Sequence, residues 1–207
     1  MSAKGQLAMT TANMRNLLGA AGALALLSGC VSIGGGGEAP DQLLTLTPTA
    51  IAPAGASATG DMSSALAVSE PAVPHSLDVV RIPVRVNDSS IAYLQDAFWV
   101  EKPARLFQRV LAETIRANSE RLVVGGGDLE YAARTQLGGE LVAMGYDAST
   151  GSVVVRYDAV LRLPDGEVRT QRFESEQSGV APDALSVGPA LNRAANDVAA
   201  QVAEWVG

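Results

Sequence analysis

The stretch that decides the fold lies in the second half of the chain and reads SVVVRYDAVLRL over residues 152–163. Its odd-numbered residues are all apolar or aromatic, whereas Arg156, Asp158 and Arg162 stand among the even-numbered ones. A period of two is typical of a β-strand that buries one face and leaves the other to solvent. This stretch therefore predicts a sheet that other elements cover on one side.

Strands are predicted on either side of this stretch. Gln136–Tyr146 precedes it across the turn-rich segment Asp147–Gly151, and Glu167–Glu176 follows the turn Pro164–Gly166. Short turn-rich connections of this kind join antiparallel neighbours. Shorter strands are predicted at Leu43–Thr47, Leu77–Val86, Ile91–Leu94, Phe98–Val100 and Leu122–Val124. Pro83 cannot donate to a ladder, so its strand is expected at an edge or with a bulge.

Two segments have helical periodicity. Pro103 can occupy the first position of a helix whose apolar residues Phe107, Val110, Leu111, Thr114 and Ile115 follow a helical spacing. Ser186 can cap a second helix, in which Pro189 would lie in the first turn. The predicted fold is α+β, a mostly antiparallel sheet with two helices packed on one face.

The segment Ala50–Pro74 differs from the sequence around it. It is rich in Ala, Ser and Pro and has no aromatic or basic residue. Such a composition buries too little apolar surface to offset the entropy of ordering. We expect a low-complexity loop at about 50–74, disordered or extended, inserted in a single domain that spans residues 41–207.

The first residues indicate export and lipid attachment. Lys4 and Arg15 precede the apolar run Leu17–Leu27, which is too short to span a bilayer as a helix and is typical of a signal peptide. The run leads into Leu27-Ser28-Gly29-Cys30, which resembles the bacterial lipobox; the alternative is a buried structural cysteine. The prediction is a signal peptide over 1–29 and a lipidated Cys30 followed by a glycine-rich tether over 30–40.

Composition excludes several kinds of site. With one cysteine and one histidine, the chain can form neither an internal disulfide nor a zinc site of Cys and His ligands. Its net charge of −7 offers no basic face for nucleic acid. No cofactor motif is present, so we expect no cofactor and no nucleic-acid partner.

Candidate catalytic residues are few. His75 is the one histidine and is interpreted as an exposed loop residue rather than a catalytic base. Glu174 and Glu176, like Asp128 and Glu130, lie two apart, which places each pair on one solvated strand face rather than across a cleft. The sequence thus predicts no catalytic site.

Tyr93 and Trp99 are the candidate contact residues. They belong to a short aromatic cluster just before the proline that starts the first helix. One interpretation is core packing at the corner between strand and helix; the other is an exposed contact for a partner protein or a lipid.

Several of these features together resemble the ABC-type transport auxiliary lipoprotein family. They are the lipobox, Leu46-Thr-Pro48, the block from Ile91 to Phe107 with Tyr93, Trp99 and Pro103, Gly145-Tyr-Asp147, Arg172-Phe-Glu174 and Ala190-Leu-Asn192. The resemblance implies a non-enzymatic lipoprotein that works with an MCE-domain protein, an ABC permease and its ATPase in lipid transport.

The resemblance is also compatible with a homo-oligomer. Val31 after the cysteine, where Asp would retain an enteric lipoprotein at the inner membrane, favours an outer-membrane anchor that faces the periplasm. The alternative function is a structural outer-membrane lipoprotein that supports envelope assembly without a transporter. A periplasmic hydrolase that uses a Ser or a carboxylate is a third and weaker hypothesis.

Overall fold

The computed structural model describes residues 42–125 and 132–207, and the elements below lie within these ranges. The fold is α+β, as the sequence predicts. Its elements in chain order are β1 (Leu66–Val68), β2 (Arg81–Asn87), β3 (Ser90–Phe98), α1 (Pro103–Asn118), β4 (Val123–Val124), β5 (Thr135–Asp147), β6 (Ser152–Arg162), β7 (Val168–Ser178) and α2 (Ala184–Val206).

The sheet is organised around β5, its longest strand. On one side, β6 pairs antiparallel with β5 from Gln136↔Arg162 to Asp147↔Ser152, and β7 pairs antiparallel with β6. The other side of β5 is shared, because β1 runs parallel to its start and β2 runs parallel to its end. β3 adds to β2 in antiparallel fashion and β4 adds to β1 in parallel. The sheet is mixed, but most of its paired residues are antiparallel, as predicted.

Both helices cover the same face of the sheet. They pack against each other and against the odd-numbered residues of β6, which are buried. The rings of Phe107 on α1 and Tyr157 on β6 meet edge to face, with centroids 5.2 Å apart. Tyr157 donates to the carbonyl oxygen of Gly138 at 2.5 Å, and burial raises the pKa of its hydroxyl far above the ordinary 10.0. The hydroxyl therefore stays a neutral donor inside the core.

The first helix begins and packs as predicted. Pro103 is its first residue, and its predicted apolar stripe is buried. Its last carbonyl groups are satisfied by side chains, because Asn118 donates to the Thr114 carbonyl and Ser119 to the Ile115 carbonyl. The Ile115 carbonyl is one of the last four of the helix, so the Ser119 hydroxyl supplies a partner that the helix itself lacks.

The second helix begins earlier than its sequence suggests. Asp183 is the capping residue, and its carboxylate accepts from both the backbone N–H and the hydroxyl of Ser186. The prediction of Ser186 as the cap is wrong, because Asp183 accepts from the free backbone N–H of Ser186, which places Ser186 inside the first turn of the helix. Pro189 consequently lies in the second turn, where the helix forgoes the backbone hydrogen bond to Leu185.

The largest departure from the sequence prediction concerns the Ala-rich segment. Residues 50–64 are mostly exposed, but Ala65–Val68 is fully buried and contributes β1 to the interior of the sheet. Further along, Ala72 forms a parallel bridge with Glu140 on β5. The loop prediction is therefore wrong for Leu66–Val68, because these residues pair with β4 and β5, which lie far along the chain.

Three strand predictions in the first half of the domain need correction. Leu43–Thr47 is not a regular strand, because Leu44 forms only an isolated bridge with Trp99. Of the two short pieces predicted around Gln95 and Asp96, the first and Phe98 belong to one strand, β3, in which Asp96 has a positive φ of 52°, whereas Trp99 and Val100 lie beyond its end. Pro83 does not lie in an edge strand, because β2 pairs with a strand on each side. The other expectation was a bulge, and the register shift between Arg81 and Pro83 is such a bulge.

Candidate functional site

In the described part of the chain, the face of the sheet opposite the helices is open and carries a ladder of partly exposed ion pairs. Arg156 on β6 contacts Glu174 on β7, and Arg172 on β7 holds Asp158 on β6 through two nitrogen–oxygen contacts of 2.6 Å. The hydrogen bond and charge of Arg172 hold the pKa of Asp158 below its ordinary value. Because these side chains are partly exposed, water screens them and each pair contributes little stability.

Beside the ladder lies a groove of about 400 Å³ between the β2–β3 hairpin and the strands β5 and β6. Its apolar lining is Leu77, Pro83, Ile91, Val142, Ala143 and Val154, and the guanidinium groups of Arg85 and Arg156 also line it. The groove is narrow at one end because β2 approaches β5 closely there. A Cβ on Gly145 would lie 2.4 Å from the carbonyl oxygen of Pro83, so only glycine allows this approach.

A carboxylate network fixes one end of the groove. Asp147 is 6% exposed, accepts from the backbone N–H of Ser149 at 2.9 Å and from its hydroxyl at 2.6 Å, and contacts the guanidinium of Arg85. The hydrogen bond from the Ser149 hydroxyl is the main cause that lowers the pKa of Asp147; Arg85 adds to it, and desolvation opposes it. Asp147 therefore joins the β5–β6 turn to β2.

Replacing Asp147 by Asn should lower the free energy of unfolding at pH 7 by about 1 kcal/mol, because a charged acceptor is lost. The folded-state pKa is below the ordinary value of 3.8, so this stabilisation is present above that value and disappears as the pH falls through the folded pKa. Urea denaturation at pH 7 and pH 3 measures the difference. Asp88→Asn is the matched control, since fully exposed Asp88 also contacts Arg85. An equal loss in both variants, or one independent of pH, would contradict this role.

Tyr93 and Trp99 occupy different environments. Tyr93 is half-buried on β3, and its hydroxyl donates to the Ser76 carbonyl at 3.4 Å. The guanidinium of Arg81 lies 4.9 Å from the centre of the Tyr93 ring and 6.0 Å from that of Phe98. Tyr93 therefore belongs to a cation–aromatic cluster with Arg81 and Phe98.

Trp99 does not reach the surface. It is 2% exposed and belongs to the main core, so the prediction of Trp99 as a partner or lipid contact is wrong and the core-packing interpretation describes it. Its backbone is held on both sides, because Trp99 forms a bridge with Leu44 and donates its N–H to the Val80 carbonyl. Arg81 and Phe98 were not among the predicted contact residues, although their opposed positions in adjacent strands place them together.

The remaining candidate residues within the described ranges are exposed. His75 is exposed in a turn, and Glu174 and Glu176 are exposed on β7, as predicted. In the ranges 42–125 and 132–207, no three His, Cys, Asp or Glu side chains are placed to hold a metal ion. Asp128 and Glu130 and the lipobox residues Leu27, Ser28, Gly29 and Cys30 lie outside the described residues.

No helix of the described part of the chain is both long enough and apolar enough to cross a membrane.

Two solved structures share this fold. A crystal structure of an uncharacterized protein aligns with 80% of this chain and 100% of its own, at a TM-score of 0.63 and 13% identity. A protein of the DUF330 family from Xanthomonas campestris aligns with 82% of this chain and 93% of its own, at a TM-score of 0.61 and 18% identity. At these identities the similarity concerns the fold alone.

Sequence comparison identifies the family. No curated protein sequence matches the chain. A family model described as the ABC-type transport auxiliary lipoprotein component matches residues 44–203, which include β1 to β7, α1 and most of α2. The chain therefore belongs to the ABC-type transport auxiliary lipoprotein family.

Proposed function

We propose that this protein is a non-enzymatic accessory lipoprotein of an MCE-type ABC transporter, which docks the periplasmic lipid-transport machinery to the outer membrane. The observation that carries the proposal is the family match over residues 44–203, whose description names both ABC-type transport and a lipoprotein. Its partners would be an MCE-domain protein with an ABC permease and its ATPase.

The amino-terminal sequence supports the anchoring half of the proposal. Cleavage before Cys30 would leave an acylated cysteine followed by a tether of about ten residues. Several acyl chains hold a protein stably at a membrane, since each buried CH₂ contributes about 0.8 kcal/mol. The domain over residues 41–207 would then lie at the periplasmic surface of the outer membrane.

The open face of the sheet supports the part of the proposal that concerns docking. It presents the groove and, beside it, the cluster of Arg81, Tyr93 and Phe98. Arginine and tyrosine are enriched among the residues that contribute most to protein interfaces. We expect this face to contact the MCE-domain protein.

The docking prediction is tested by copurifying the full-length lipoprotein with the MCE-domain protein of its own genome from solubilised membranes. Arg81→Ala and Tyr93→Ala should reduce recovery of the partner about tenfold or more, the loss typical of an interface hot spot. Arg193→Ala, which removes an exposed arginine from α2 on the other side of the sheet, is the matched control. Failure of the wild-type chain to recover the partner, with the lipoprotein intact in the membrane, would favour the structural envelope lipoprotein instead.

The anchoring prediction is tested at the lipobox. Cys30→Ala should abolish incorporation of labelled palmitate and leave the chain as an unprocessed precursor, because the cysteine sulfur is the acylation site. Ser28→Ala keeps a small residue before the cut and should be processed normally. A Cys30→Ala chain that is still cleaved and retained in the outer membrane would refute the assignment. Val31→Asp should shift the processed protein toward the inner membrane.

A further inference from the structure

The outer edge of β3 is the least protected edge of the sheet. Among the described residues, three strands have a free side, namely β3, β4 and β7. β4 has only two residues, and β7 carries charged side chains along its length, which discourage pairing with another strand. The stretch Ile91–Gln95 of β3 contains no charged residue and no proline. It therefore lacks the features that usually protect an edge strand.

The backbone groups of Ile91 and Tyr93 face away from the sheet. The Arg85 carbonyl accepts from a backbone N–H just after β5 at 2.9 Å, so the backbone groups of Arg85 face β5. Because these groups alternate in direction along a strand, those of Val84 face β3, where Val84 is paired with Ala92. The N–H and the carbonyl of Ala92 thus face β2, and those of Ile91 and Tyr93 face outward.

The far end of the same edge already pairs with an extended segment of this chain. The Leu44 N–H donates to the Phe98 carbonyl at 2.7 Å, and the Val100 N–H donates to the Leu44 carbonyl at 2.8 Å. An added backbone can therefore reach this edge. Within the described ranges, the stretch Ile91–Gln95 has no such partner on its outer side.

Arg81 places a positive charge beside this stretch. Its guanidinium lies 4.9 Å from the centre of the Tyr93 ring, so it extends from β2 over β3 toward the edge. Unlike Arg85 and Arg156, exposed Arg81 forms no ion pair with an acidic side chain of the described part of the chain. A guanidinium that aromatic rings hold in place, with its donors free, is suited to bind a carboxylate of another molecule.

We propose that an extended segment of the MCE-domain protein adds to the sheet as a strand beside Ile91–Gln95 and presents an acidic side chain to Arg81. The inference rests on the proposed function, because it names the contact through which that partner docks. Main-chain hydrogen bonds supply affinity in such strand addition, and side chains on alternate positions supply specificity. Ile91, which is 59% exposed and lines the groove, gives the added strand an apolar neighbour on the open face.

Photocrosslinking in the native membrane tests where the partner lies. Benzoylphenylalanine is placed at Ile91 or Gln95 of the full-length lipoprotein, and at Glu176 on the β7 edge as the control, since all three positions are exposed. Ultraviolet light should link the first two positions, but not the third, to the MCE-domain protein. Equal adducts at all three positions, or a linked pair of lipoproteins from Ile91 or Gln95, would overturn the proposal.

The same experiment separates this inference from the proposed function. Copurification of the partner with the wild-type lipoprotein, without either adduct, would overturn the strand addition alone. Failure of the wild-type chain to copurify the partner would contradict the proposed function as well.

A proline variant tests the backbone contact. Ile91→Pro removes an N–H that faces outward, so the domain should keep its circular dichroism spectrum. Recovery of the MCE-domain protein should fall about tenfold, the effect of one lost hydrogen bond. Ile91→Val keeps the N–H and is the matched control. Equal recovery by the two variants would overturn the strand addition; should Ile91→Pro unfold, the photocrosslinks decide.

A charge exchange tests the role of Arg81. Arg81→Glu should lower recovery of the partner, and replacing the acidic residue of the crosslinked partner segment by Arg should restore it. A merely structural role of Arg81 would not allow this rescue. Failure of the exchange to restore recovery, or a crosslinked segment without an acidic residue, would overturn the assignment of Arg81.

Discussion

Replacing Leu66 by Ala should lower the free energy of unfolding by about 2–5 kcal/mol, the range measured for large-to-small substitutions in protein cores. Leu66 is fully buried in β1, between β4 and β5. The substitution would leave a cavity between β4 and β5, both of which pair in parallel with β1. Urea denaturation followed by circular dichroism measures the loss.

The same segment supplies a control of matched chemistry. Ile51 is 62% exposed, so Ile51→Ala should change the free energy of unfolding by no more than about 0.5 kcal/mol. Both positions lie within the Ala-rich stretch of residues 50–74. Two equally small effects would mean that β1 is not part of the folded sheet and that the whole stretch is a loop.

The sequence does not predict β1, and the reason is physical. The strand has three residues, and all of them are buried, so it shows neither the length nor the alternation by which a strand is recognised. Its burial comes from partners far along the chain. Beyond its strand neighbours, the side-chain amide of Gln108 on α1 donates to the Val68 carbonyl at 2.8 Å. Such contacts leave no mark on the local composition.

Elements whose signals are local were predictable. The strands β5, β6 and β7 are long and are joined by turns with recognisable residues. Along β6, buried residues alternate with less buried ones. The start of α1 at Pro103 is equally local. The start of α2 shows the limit, because Asp183 and Ser186 both suit a helix start and bond to each other. The sequence located that start to within one turn but could not choose between the two residues.

In the candidate site, too, some features follow from the local sequence and others depend on the fold. The predicted lipobox is a contiguous sequence pattern, so its prediction does not depend on the fold. The aromatic cluster around Tyr93 was also recognisable, but the sequence did not show which side of the strand each ring occupies. The bulge between Arg81 and Pro83 and the positive φ of Asp96 determine that Arg81 and Phe98 meet outside while Trp99 turns into the core.

Replacing Gly139 by Ala should destabilise the domain by about 3 kcal/mol or more, through backbone strain and steric overlap together. Gly139 has a φ of 132°, which residues with a side chain rarely adopt. A Cβ at this position would lie 2.0 Å from the Asp158 carbonyl oxygen on β6. The overlap is with backbone, so β5 and β6 would have to separate. The Gly139 carbonyl also accepts from the Ala72 N–H at 2.9 Å, and that bond would be strained as well.

The neighbouring glycine is the control. A Cβ on Gly138 would lie 3.9 Å from the Cβ of Ser69, an ordinary contact, and its φ is not positive. Gly138→Ala should therefore change the free energy of unfolding by no more than about 1 kcal/mol. Guanidinium denaturation of both variants compares the two positions directly. Equal stability of the two variants would contradict the close approach of β5 and β6 at Gly139, and with it the path of the central strand on which the open face and its groove depend.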